Sequence, residues 1–319
     1  MTFQQLSYLV EISKCGSINK AAQKLFLSQS GISIAIRELE EELGITLFLR
    51  TNRGVTFTPE GREFLSHAVS LLDSKKHLEQ LYSKNRGEAV STFLSVSTQR
   101  YPFVEAAFLA LLRAHGDSLY HMELRETSMD GVIRSISARR SDLGVIFLSD
   151  LTDKIIQRRL ASHELVFSEL CTVRPKVYVR RGHPLTRCGH ITEKELGGYP
   201  YVSFEQSEGE AVDFSEECQL SPACQPTQRI VINTRSTAVN IVAGTDAITT
   251  GTGLLLPGFS PENVVSLPIE DLPDIRLGWL RIKGTQPSPI AEEFLGHLKR
   301  AIAESIEYTD RLTAETLRG

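Results

Sequence analysis

Long apolar runs are absent from this chain of 319 residues. A membrane-spanning helix needs about 18 consecutive apolar residues, so we expect no membrane partner. The segment Met1 to Leu6 also lacks the basic patch and apolar run of a secretory signal. With 23% charged and 41% hydrophobic residues, the composition excludes a disordered or fibrous chain. We therefore expect a cytoplasmic protein, and the length suggests roughly two domains.

Cysteine is scarce, and its distribution excludes two kinds of site. The cysteines are odd in number and no Cys-x-x-Cys pair occurs, so neither a disulfide framework nor a zinc ribbon is predicted. Without an export signal, we expect thiols at Cys15, Cys171, Cys188, Cys218 and Cys224. No nucleophile, base or metal constellation has catalytic spacing either. We predict that the protein is not an enzyme and carries no cofactor.

An excess of positive charge is also lacking, because the net charge is −4. The charges are, however, unevenly distributed: residues 1–86 carry 11 basic and 9 acidic side chains, and the remainder carries 24 and 30. Asn19 to Arg37 contains three basic residues and no acid. Phosphate attraction is screened over about 8–10 Å, so this local sorting matters more than the total. The asymmetry suggests different partners for the two parts of the chain.

Three helices are predicted in the first 44 residues. The first carries apolar residues at helical spacing and ends at Gly16. Ser17 is a natural N-cap for a short second helix, in which a pair of alanines would let another helix approach closely. Ser28 caps a third helix that runs to about Leu43 and is closed by Gly44, a residue able to adopt positive φ.

The third helix has an apolar face and a polar face. The apolar arc, which is predicted to pack on the first two helices, comprises Ile32, Ala35, Ile36, Leu39 and Leu43. The neighbouring arc comprises Gln29, Ser30, Ser33, Ile34 and Arg37. Its polar groups lie near the helix N-terminus, where phosphate is favoured and where a recognition helix reads base edges. An amphipathic helix with a solvated polar face is the alternative.

A basic hairpin is predicted directly after the third helix. Leu47–Arg50 is typical of a short strand and Val55–Phe57 of its return, joined by a turn that contains Asn and Gly. Arg50 and Arg53 are placed to contact backbone phosphates or to enter the minor groove. A hairpin in this position is the wing of a winged helix-turn-helix. Another helix is predicted to begin at Thr58, with proline in its first turn.

These segments resemble the DNA-binding head of the LysR-type transcriptional regulators. The similar stretches are 16–33, 36–44, 47–50 and 56–61, and the similarity is nearly continuous over residues 3–65. One departure is Ser30, where the family usually has proline. The resemblance implies a mainly α winged helix-turn-helix domain over residues 1–58. It also implies a DNA-facing set formed by Ser28, Gln29, Ser30, Ser33, Arg37, Arg50 and Arg53.

A long helix is predicted from Pro59 to about Arg86, because no proline or glycine follows Pro59 in this stretch except Gly61. A partly apolar seam follows it at alternating steps of four and three residues, through Phe64, Ala68, Leu71, Lys75, Leu78 and Tyr82. Such a seam favours a partner helix. The resemblance implies that residues 59–88 are a linker that pairs with the same helix of a second subunit, giving a homodimer and, as is common in the family, a homotetramer. A helix packed only on its own chain is the alternative.

Strands and helices alternate beyond residue 88, which is typical of a parallel α/β sheet. In the first part, strands are predicted at 93–97, 122–126 and 143–148, with helices at about 102–113 and 131–139. In the second part, strands are predicted at 171–179, 201–204, 229–232 and 247–250, with a helix at about 236–243.

The chain is then predicted to return to the first lobe at Val265–Pro268 and Leu277–Ile282 and to end in a helix near Ala291–Ala303. This pattern resembles the effector domain of the same family, a two-lobed α/β clamp like that of periplasmic binding proteins. The resemblance implies an effector domain over 89–303, with lobe 1 at 89–165 and 266–303, lobe 2 at 166–265, and a C-terminal extension at 304–319.

Hydroxyl groups cluster at the ends of the predicted strands, where such sheets bind ligands. The candidate effector-binding residues are Ser97, Thr98, Gln99, Arg100, Thr127, Ser128, Ser203, Phe204, Thr234 and Arg235. Hydroxyls together with free N–H groups at helix starts suit a small carboxylate, sulfate or similar anion. We hypothesise that a small polar or anionic effector between the lobes modulates promoter binding. The alternative is that these residues are simply helix caps.

Three other interpretations stay open. Cys218 and Cys224 lie roughly where peroxide-sensing members of the family keep redox cysteines, which would make the protein a redox-responsive regulator. Metal ligands are conceivable among His183, Cys188 and His190, but turn residues lie between them and a fourth ligand is missing. An α/β enzyme or solute-binding protein with a helical head that does not bind DNA is the alternative from a different class.

Overall fold

The computed structural model describes residues 1–51, 54–82, 92–116, 119–150, 152–205, 220, 224 and 226–318. The chain divides into two compact units, the first essentially Met1–Glu88 and the second beginning at Ala89. Among the described residues, no helix combines the length and the apolar character needed to cross a membrane.

Three helices open the first unit: α1 (Phe3–Cys15), α2 (Ile18–Lys24) and α3 (Gln29–Leu43). The predicted caps of α1 and α3 are confirmed, because Gly16 and Gly44 both adopt left-handed backbone conformations with φ of 62° and 68°. The Ser28 hydroxyl accepts a hydrogen bond from the Gly31 N–H at 3.1 Å and so caps α3. Ser17 occupies the N-cap position of α2, but its side chain makes no capping hydrogen bond.

The apolar face of α3 packs in the core of this unit, as predicted. Ile32, Ile36 and Leu39 are buried against α1 and α2, whose buried residues are Leu6, Leu9, Ile12, Ile18, Ala21 and Ala22. Ala35, predicted to lie on the same face, is only partly buried. A close-packed core of this kind fixes the orientation of α3 and therefore of its polar face.

The wing is an antiparallel hairpin of β1 (Phe48–Thr51) and β2 (Gly54–Phe57). Phe48 and Phe57 pack edge to face across it, with ring centroids 5.7 Å apart. The Val55 N–H donates to the Gly16 carbonyl at 3.1 Å, which ties the hairpin to the turn after α1. The wing is thus held to the same core that orients α3.

The long helix α4 spans Pro59–Tyr82. Thr58 caps it, since its hydroxyl accepts from the Gly61 N–H at 2.9 Å. The first part of the predicted dimer seam is used within the chain: Ala68 is buried in the core of the first unit and Phe64 packs against that core. Leu71, in contrast, is exposed. The side chains of Leu78 and Tyr82 and the predicted helical residues 83–86 lie outside the described residues.

The second unit contains a five-stranded sheet in the order β4-β3-β5-β12-β6. Its strands are β3 (Thr92–Thr98), β4 (Tyr120–Glu126), β5 (Leu143–Ser149), β6 (Leu165–Val173) and β12 (Ile275–Ile282). β3 runs parallel to β4 and β5, but β12 runs antiparallel to β5 and β6. The sheet is therefore mixed and not wholly parallel as predicted. Helices α5 (Pro102–Ala114), α6 (Met129–Ser137) and α7 (Asp153–Ser162) connect its strands.

Two smaller sheets form the second lobe. One has the order β10-β7-β11, from β10 (Thr249–Gly251), β7 (Lys176–Arg180) and β11 (Val264–Pro268). The other pairs β8 (Tyr201–Phe204) with β9 (Arg229–Ile232), and a bridge between Tyr201 and Ile248 joins the two. A short helical turn (Pro184–Arg187), α8 (Glu193–Leu196) and α9 (Arg235–Gly244) complete this lobe.

Two predicted strand placements were wrong. The single strand predicted at 171–179 is two strands in different sheets, β6 and β7. Pro175 lies between them and has no N–H with which to continue a ladder. The return to the first lobe was predicted at Val265, but β11 pairs with β7 in the second lobe. Only β12 rejoins the larger sheet.

The last helix, α10, runs without interruption over Pro289–Arg318. The predicted stop near Ala303 was wrong, because neither glycine nor proline follows Gly296 within the helix and buried residues continue as far as Leu312. The predicted C-terminal extension is the second half of this helix. Along it the helix buries Ser305, Thr309 and Leu312.

Candidate nucleic-acid interface and ligand pocket

The polar face of α3 is presented as the sequence predicts. Gln29, Ser30 and Arg37 are exposed, and Ser33 is partly exposed. The Gln29 amide donates to the Ser33 hydroxyl at 2.9 Å. The Ser30 hydroxyl lies 3.3 Å from that of Ser28. Amide, hydroxyl and guanidinium groups therefore share one exposed surface at the N-terminal half of the helix, where its dipole favours an anion.

Two basic side chains of the helix-turn-helix, Arg37 and Lys24, have acidic neighbours. Arg37 lies 3.7 Å from Glu41 one turn along α3, with both side chains about two-thirds exposed or more (68% and 71%). An exposed pair of this kind contributes little, so Arg37 stays available to a phosphate. Lys24 lies 2.6 Å from Glu11 of α1. Their hydrogen bond lowers the pKa of Glu11.

The structure describes the two wing arginines only in part. Arg50 pairs with Val55 in the hairpin backbone, so it lies on the wing as predicted. Its side chain and the whole of Arg53 lie outside the described residues. Their phosphate contacts stay predictions.

Ile34 is a feature of this surface that the predicted contact set leaves out. It lies in the same arc of α3 as the polar residues and is 49% exposed. Apolar side chains on a recognition helix contact the methyl group of thymine. The sequence signal for Ile34 is its position in the same arc of α3 as the predicted contacts. The predicted set omits it because that set was restricted to polar side chains.

A cavity of about 110 Å³ lies between the two lobes of the second unit. Lobe 1 contributes the segment after β3 (Gln99–Pro102), and lobe 2 contributes residues from β7, β8, α9 and β10 and from the connection between β10 and β11. This volume exceeds what one water molecule needs and suits a small organic molecule. Most of its lining is apolar, which is usual for a ligand pocket.

Four of the ten predicted effector-binding residues line this cavity: Gln99, Arg100, Phe204 and Arg235. The Arg100 guanidinium stacks over the Phe204 ring, with its central carbon 4.3 Å from the centroid. This contact joins a residue of lobe 1 to one of lobe 2. Burial lowers the pKa of Arg100, although arginine stays charged in proteins. Within the part of the chain that the structure describes, no carboxylate forms a salt bridge with Arg100.

Arg235 differs from Arg100 because its charge is already paired. Its guanidinium lies 2.5 Å from a carboxylate oxygen of Glu105 on α5 and donates to the Phe259 carbonyl at 3.2 Å. The Glu105–Arg235 pair links the first turn of α5 in lobe 1 to the first residue of α9 in lobe 2. Burial, followed by the neighbouring Glu105, raises the pKa of Glu126 beside this pair.

The other six predicted residues are outside the cavity lining. The Ser97 hydroxyl lies 2.7 Å from that of Ser141, and the Ser203 hydroxyl accepts from Arg229 at 2.9 Å. Ser128 accepts from the Gly131 N–H at the start of α6, and Thr234 caps α9. For these last two residues the helix-cap interpretation describes the observed role. Thr127 is half-buried, and Thr98 is fully buried.

Most of the cavity lining comes from residues outside the set that was predicted from the ends of the strands. They include Tyr101, Pro102, Tyr178, Val239, Val242, Thr249, Thr250, Thr252, Leu254 and Leu255. Tyr178 and Thr250 lie within antiparallel strands of lobe 2, whose pairing the sequence did not indicate. The loop residues of the lining lie in a Gly- and Thr-rich stretch, residues 244–258, and this composition is the sequence signal for them.

The geometry disfavours one alternative and leaves another open. Both ring nitrogens of His183 are engaged, since Nδ1 accepts from the Leu185 N–H at 3.1 Å and Nε2 lies 3.2 Å from the Asp246 carbonyl. His183 is therefore not free to hold a metal. Cys224 is half-buried, but Cys218 lies outside the described residues, so the redox interpretation stays a prediction.

The chain is similar to known proteins along most of its length. Residues 3–62 match the family described as "Bacterial regulatory helix-turn-helix protein, lysR family", and residues 101–303 match the "LysR substrate binding domain". The chain is 28% identical over 319 residues to the transcriptional dual regulator GltC of Bacillus subtilis (strain 168), covering 92% of this chain and 95% of GltC. It is 29% identical over 216 residues to the HTH-type regulator YeiE of Escherichia coli (strain K12), covering 67% and 69% of the two chains.

Solved structures share the fold. Full-length CbnR complexed with its target DNA gives a TM-score of 0.61 at 17% identity and covers 94% of this chain and 100% of CbnR. A full-length cysteine-to-aspartate variant of OxyR from Pseudomonas aeruginosa gives 0.53 at 17% identity and covers 95% and 97%. The family matches and the described geometry agree on a helix-turn-helix head and a two-lobed ligand-binding unit. The chain therefore belongs to the LysR family of DNA-binding transcriptional regulators, proteins with an effector-binding domain and without enzymatic function.

Proposed function

We propose that this regulator binds promoter DNA through the polar face of α3 and that a small anionic effector between its two lobes modulates the binding. The observation that carries the second part is the cavity whose lining comes from both lobes and contains Arg100. A ligand that contacts both lobes stabilises the arrangement in which they meet, and this preference can shift the equilibrium between two states of the protein.

The charges of the pocket favour an effector with a single negative charge. Arg235 forms a salt bridge with Glu105, whereas Arg100 stacks on the Phe204 ring and is attracted by the Glu126 carboxylate only at longer range. A partly desolvated guanidinium attracts a carboxylate strongly because the surrounding dielectric is low. The remaining lining is mostly apolar and includes Val242, Leu254 and other aliphatic side chains. We infer a monocarboxylate with an apolar body.

Calorimetry with matched ligand pairs tests this ligand class. We would titrate 3-methylbutanoate, hexanoate and benzoate, each beside its uncharged amide, and inorganic phosphate as a compact anion. We expect each carboxylate to bind at least about tenfold more tightly than its amide, which corresponds to about 1.4 kcal/mol of binding free energy. Equal binding of amide and acid, or binding of phosphate alone, would contradict it.

Arg100→Gln is the matching protein variant, and Arg113→Gln is its control. Arg113 is an exposed arginine on α5 that does not line this cavity. We expect Arg100→Gln to lose the preference for the acid over the amide and Arg113→Gln to keep it. Retention of that preference by Arg100→Gln would show that another group holds the carboxylate.

The DNA-binding part is tested on genomic fragments selected by the protein. Affinity should fall steeply with salt as counterions are released from the duplex. Arg37→Gln should weaken binding to all sequences and reduce the salt slope by about one. Gln29→Ala should change the preferred base, because Gln pairs with adenine through two hydrogen bonds. Gln4→Ala, on α1, is the control for an exposed glutamine of the same unit.

We propose further that the protein is a homodimer that pairs through α4. The exposed Leu71 supports this, because it continues the seam beyond Ala68 and leaves an apolar side chain unburied within the chain. Leu71→Glu should lower the mass measured by analytical ultracentrifugation. Leu317→Glu, at an exposed leucine of α10, should leave the mass unchanged. Equal masses for both variants would exclude this seam as the interface.

A further inference from the structure

We propose that the second half of α10 is a strap that holds the second lobe against the first, and that Thr309 on this strap is a positioning residue for the wall of the ligand pocket. The strap is defined as residues 304–318. The inference rests on the proposed function only in treating the cavity as the effector site. Its geometric part concerns the two lobes and stands without a ligand.

The first half of α10 packs on lobe 1. Phe294 is fully buried and meets Phe108 of α5 edge to face, with ring centroids 6.5 Å apart. Glu293 lies 3.0 Å from His115 at the end of α5. Leu298 is also fully buried. This half of the helix is thereby fixed to the first lobe.

The strap packs on lobe 2. The ammonium group of Lys176 in β7 lies 3.0 Å from the Asp310 carboxylate, and the Lys176 side chain is only 12% exposed. The Thr313 hydroxyl lies 2.9 Å from the Ser266 carbonyl of β11 and 2.8 Å from the Thr309 carbonyl of its own helix, and either oxygen can accept its proton. Leu312 is buried between these contacts along the helix. One helix thus touches two strands of the second lobe while its other half is fixed to the first.

Thr309 connects the strap to the pocket. Its hydroxyl accepts from the Leu255 N–H at 2.8 Å and donates to the Leu255 carbonyl at 3.4 Å. Leu255 lies in the connection between β10 and β11, and no backbone partner is found for its N–H and carbonyl groups within the described part of the chain; it lines the cavity. Buried backbone groups need such partners. Thr309 is fully buried, so water does not compete for its hydroxyl, which is hydrogen-bonded to Leu255 in the pocket wall.

The strap lies directly after the segment that matches the LysR substrate binding domain. The match to the substrate-binding domain ends at residue 303, one residue before the strap begins. Since α10 continues through this point without glycine or proline, both halves move as one rigid element. A change in the angle between the lobes must therefore break contacts of one half of α10. The strap holds the pocket wall in place before a ligand arrives, and such preorganisation favours binding.

Hydrogen exchange of the full-length protein without any ligand tests the strap directly. Thr309→Val keeps the shape of the side chain and removes the hydroxyl. Thr316→Val is the matched control, because the Thr316 hydroxyl donates to the Leu312 carbonyl of its own helix and has no other partner among the described residues. We expect exchange at the Leu255 amide to rise about tenfold or more in Thr309→Val, since a hydrogen bond is lost from a buried group. Thr316→Val should leave it unchanged.

An unchanged Leu255 amide in Thr309→Val, or an equal increase in both variants, would overturn the inference. A milder variant, Thr313→Val, should raise exchange in β11 near Ser266 without affecting Leu255, which keeps the test decisive if Thr309→Val folds poorly. The second readout is titration of benzoate, which should bind about tenfold more weakly to Thr309→Val and normally to Thr316→Val. If benzoate fails to bind the unaltered protein while Leu255 still exchanges faster in Thr309→Val, the strap stands and only the proposed ligand class is wrong.

Discussion

The two units of this protein present their functional groups in opposite ways. In the first unit the predicted DNA contacts from Gln29 to Arg37 lie within nine residues of one helix and are largely exposed. In the second unit the pocket lining extends from Gln99 to Val264 in the sequence and is mostly buried and apolar. A surface that meets a polyanion needs groups arrayed along a helix, whereas a pocket for a small molecule needs walls that approach from several elements.

The contrast extends to how charge is used. The first unit attracts phosphate from solvent, where salt screens each contact and several positive groups act together. The pocket contains two arginines, and Glu105 has paired with one of them. A single desolvated guanidinium is enough there, because a low dielectric strengthens its attraction to one carboxylate. The net acidity of the second part of the chain therefore does not conflict with an anionic ligand.

The largest expected effect is a difference in unfolding free energy between two variants of the recognition helix, one at a buried residue and one at an exposed residue. Ile36 is fully buried and Ile34 is 49% exposed on the same helix. Ile36→Ala should lower the unfolding free energy of the first unit by about 2–5 kcal/mol, since it leaves a cavity. Ile34→Ala should change it by less than about 0.5 kcal/mol and should alter DNA sequence preference instead. Denaturant unfolding and DNA binding, measured on both variants, check this.

A contrary result would mean that α3 does not have one buried core face and one exposed DNA-binding face. Equal loss of stability in the two variants would mean that Ile34 is covered in solution. The unfolding transition of the second unit is the internal control, because neither side chain belongs to its core.

A smaller effect, with opposite signs in the two units, is expected for two helical glycines. A Cβ on Gly61 would lie 1.8 Å from the Leu47 carbonyl oxygen, whereas a Cβ on Gly296 would have no atom within 4 Å. Gly61→Ala should destabilise the first unit by about 1–3 kcal/mol through overpacking. Gly296→Ala should stabilise the second by about 0.5–1 kcal/mol, since alanine loses less backbone freedom in a helix. Thermal unfolding of both variants gives the two signs, and a stable Gly61→Ala would mean that the wing and α4 are less closely packed than described.

The smallest effect is a pH dependence that belongs to the second unit. Burial lowers the pKa of His183. Below about pH 6.5 the unfolded chain takes up a proton that the folded chain does not bind, so stability falls as the pH drops from 7 toward 5. His183→Gln should remove this part of the acid sensitivity, measured by urea unfolding at both pH values. His190→Gln, at a largely exposed side chain (82%), should retain it.

Features set by neighbours in sequence were predicted well. The bounds of α3, its Ser28 cap and its Gly44 terminus depend on helical periodicity and on backbone conformations within a few residues. The wing hairpin depends on a short turn between two strands. Features set by distant partners were predicted poorly: the pairing of β11 with β7, the separation of β6 from β7, and the use of Phe64 and Ala68 in the core of their own unit.

The sequence by itself determined the head, its polar arc and the alternation of strands and helices in the second unit, because periodicity, caps and turn residues act over a few positions. Only the tertiary structure decided which of the two pocket arginines forms a salt bridge, since the partner of Arg235 is 130 residues away. It also decided that Thr309 serves Leu255, 54 residues earlier. Contacts of that kind depend on how elements pack, and no local pattern in the chain records them.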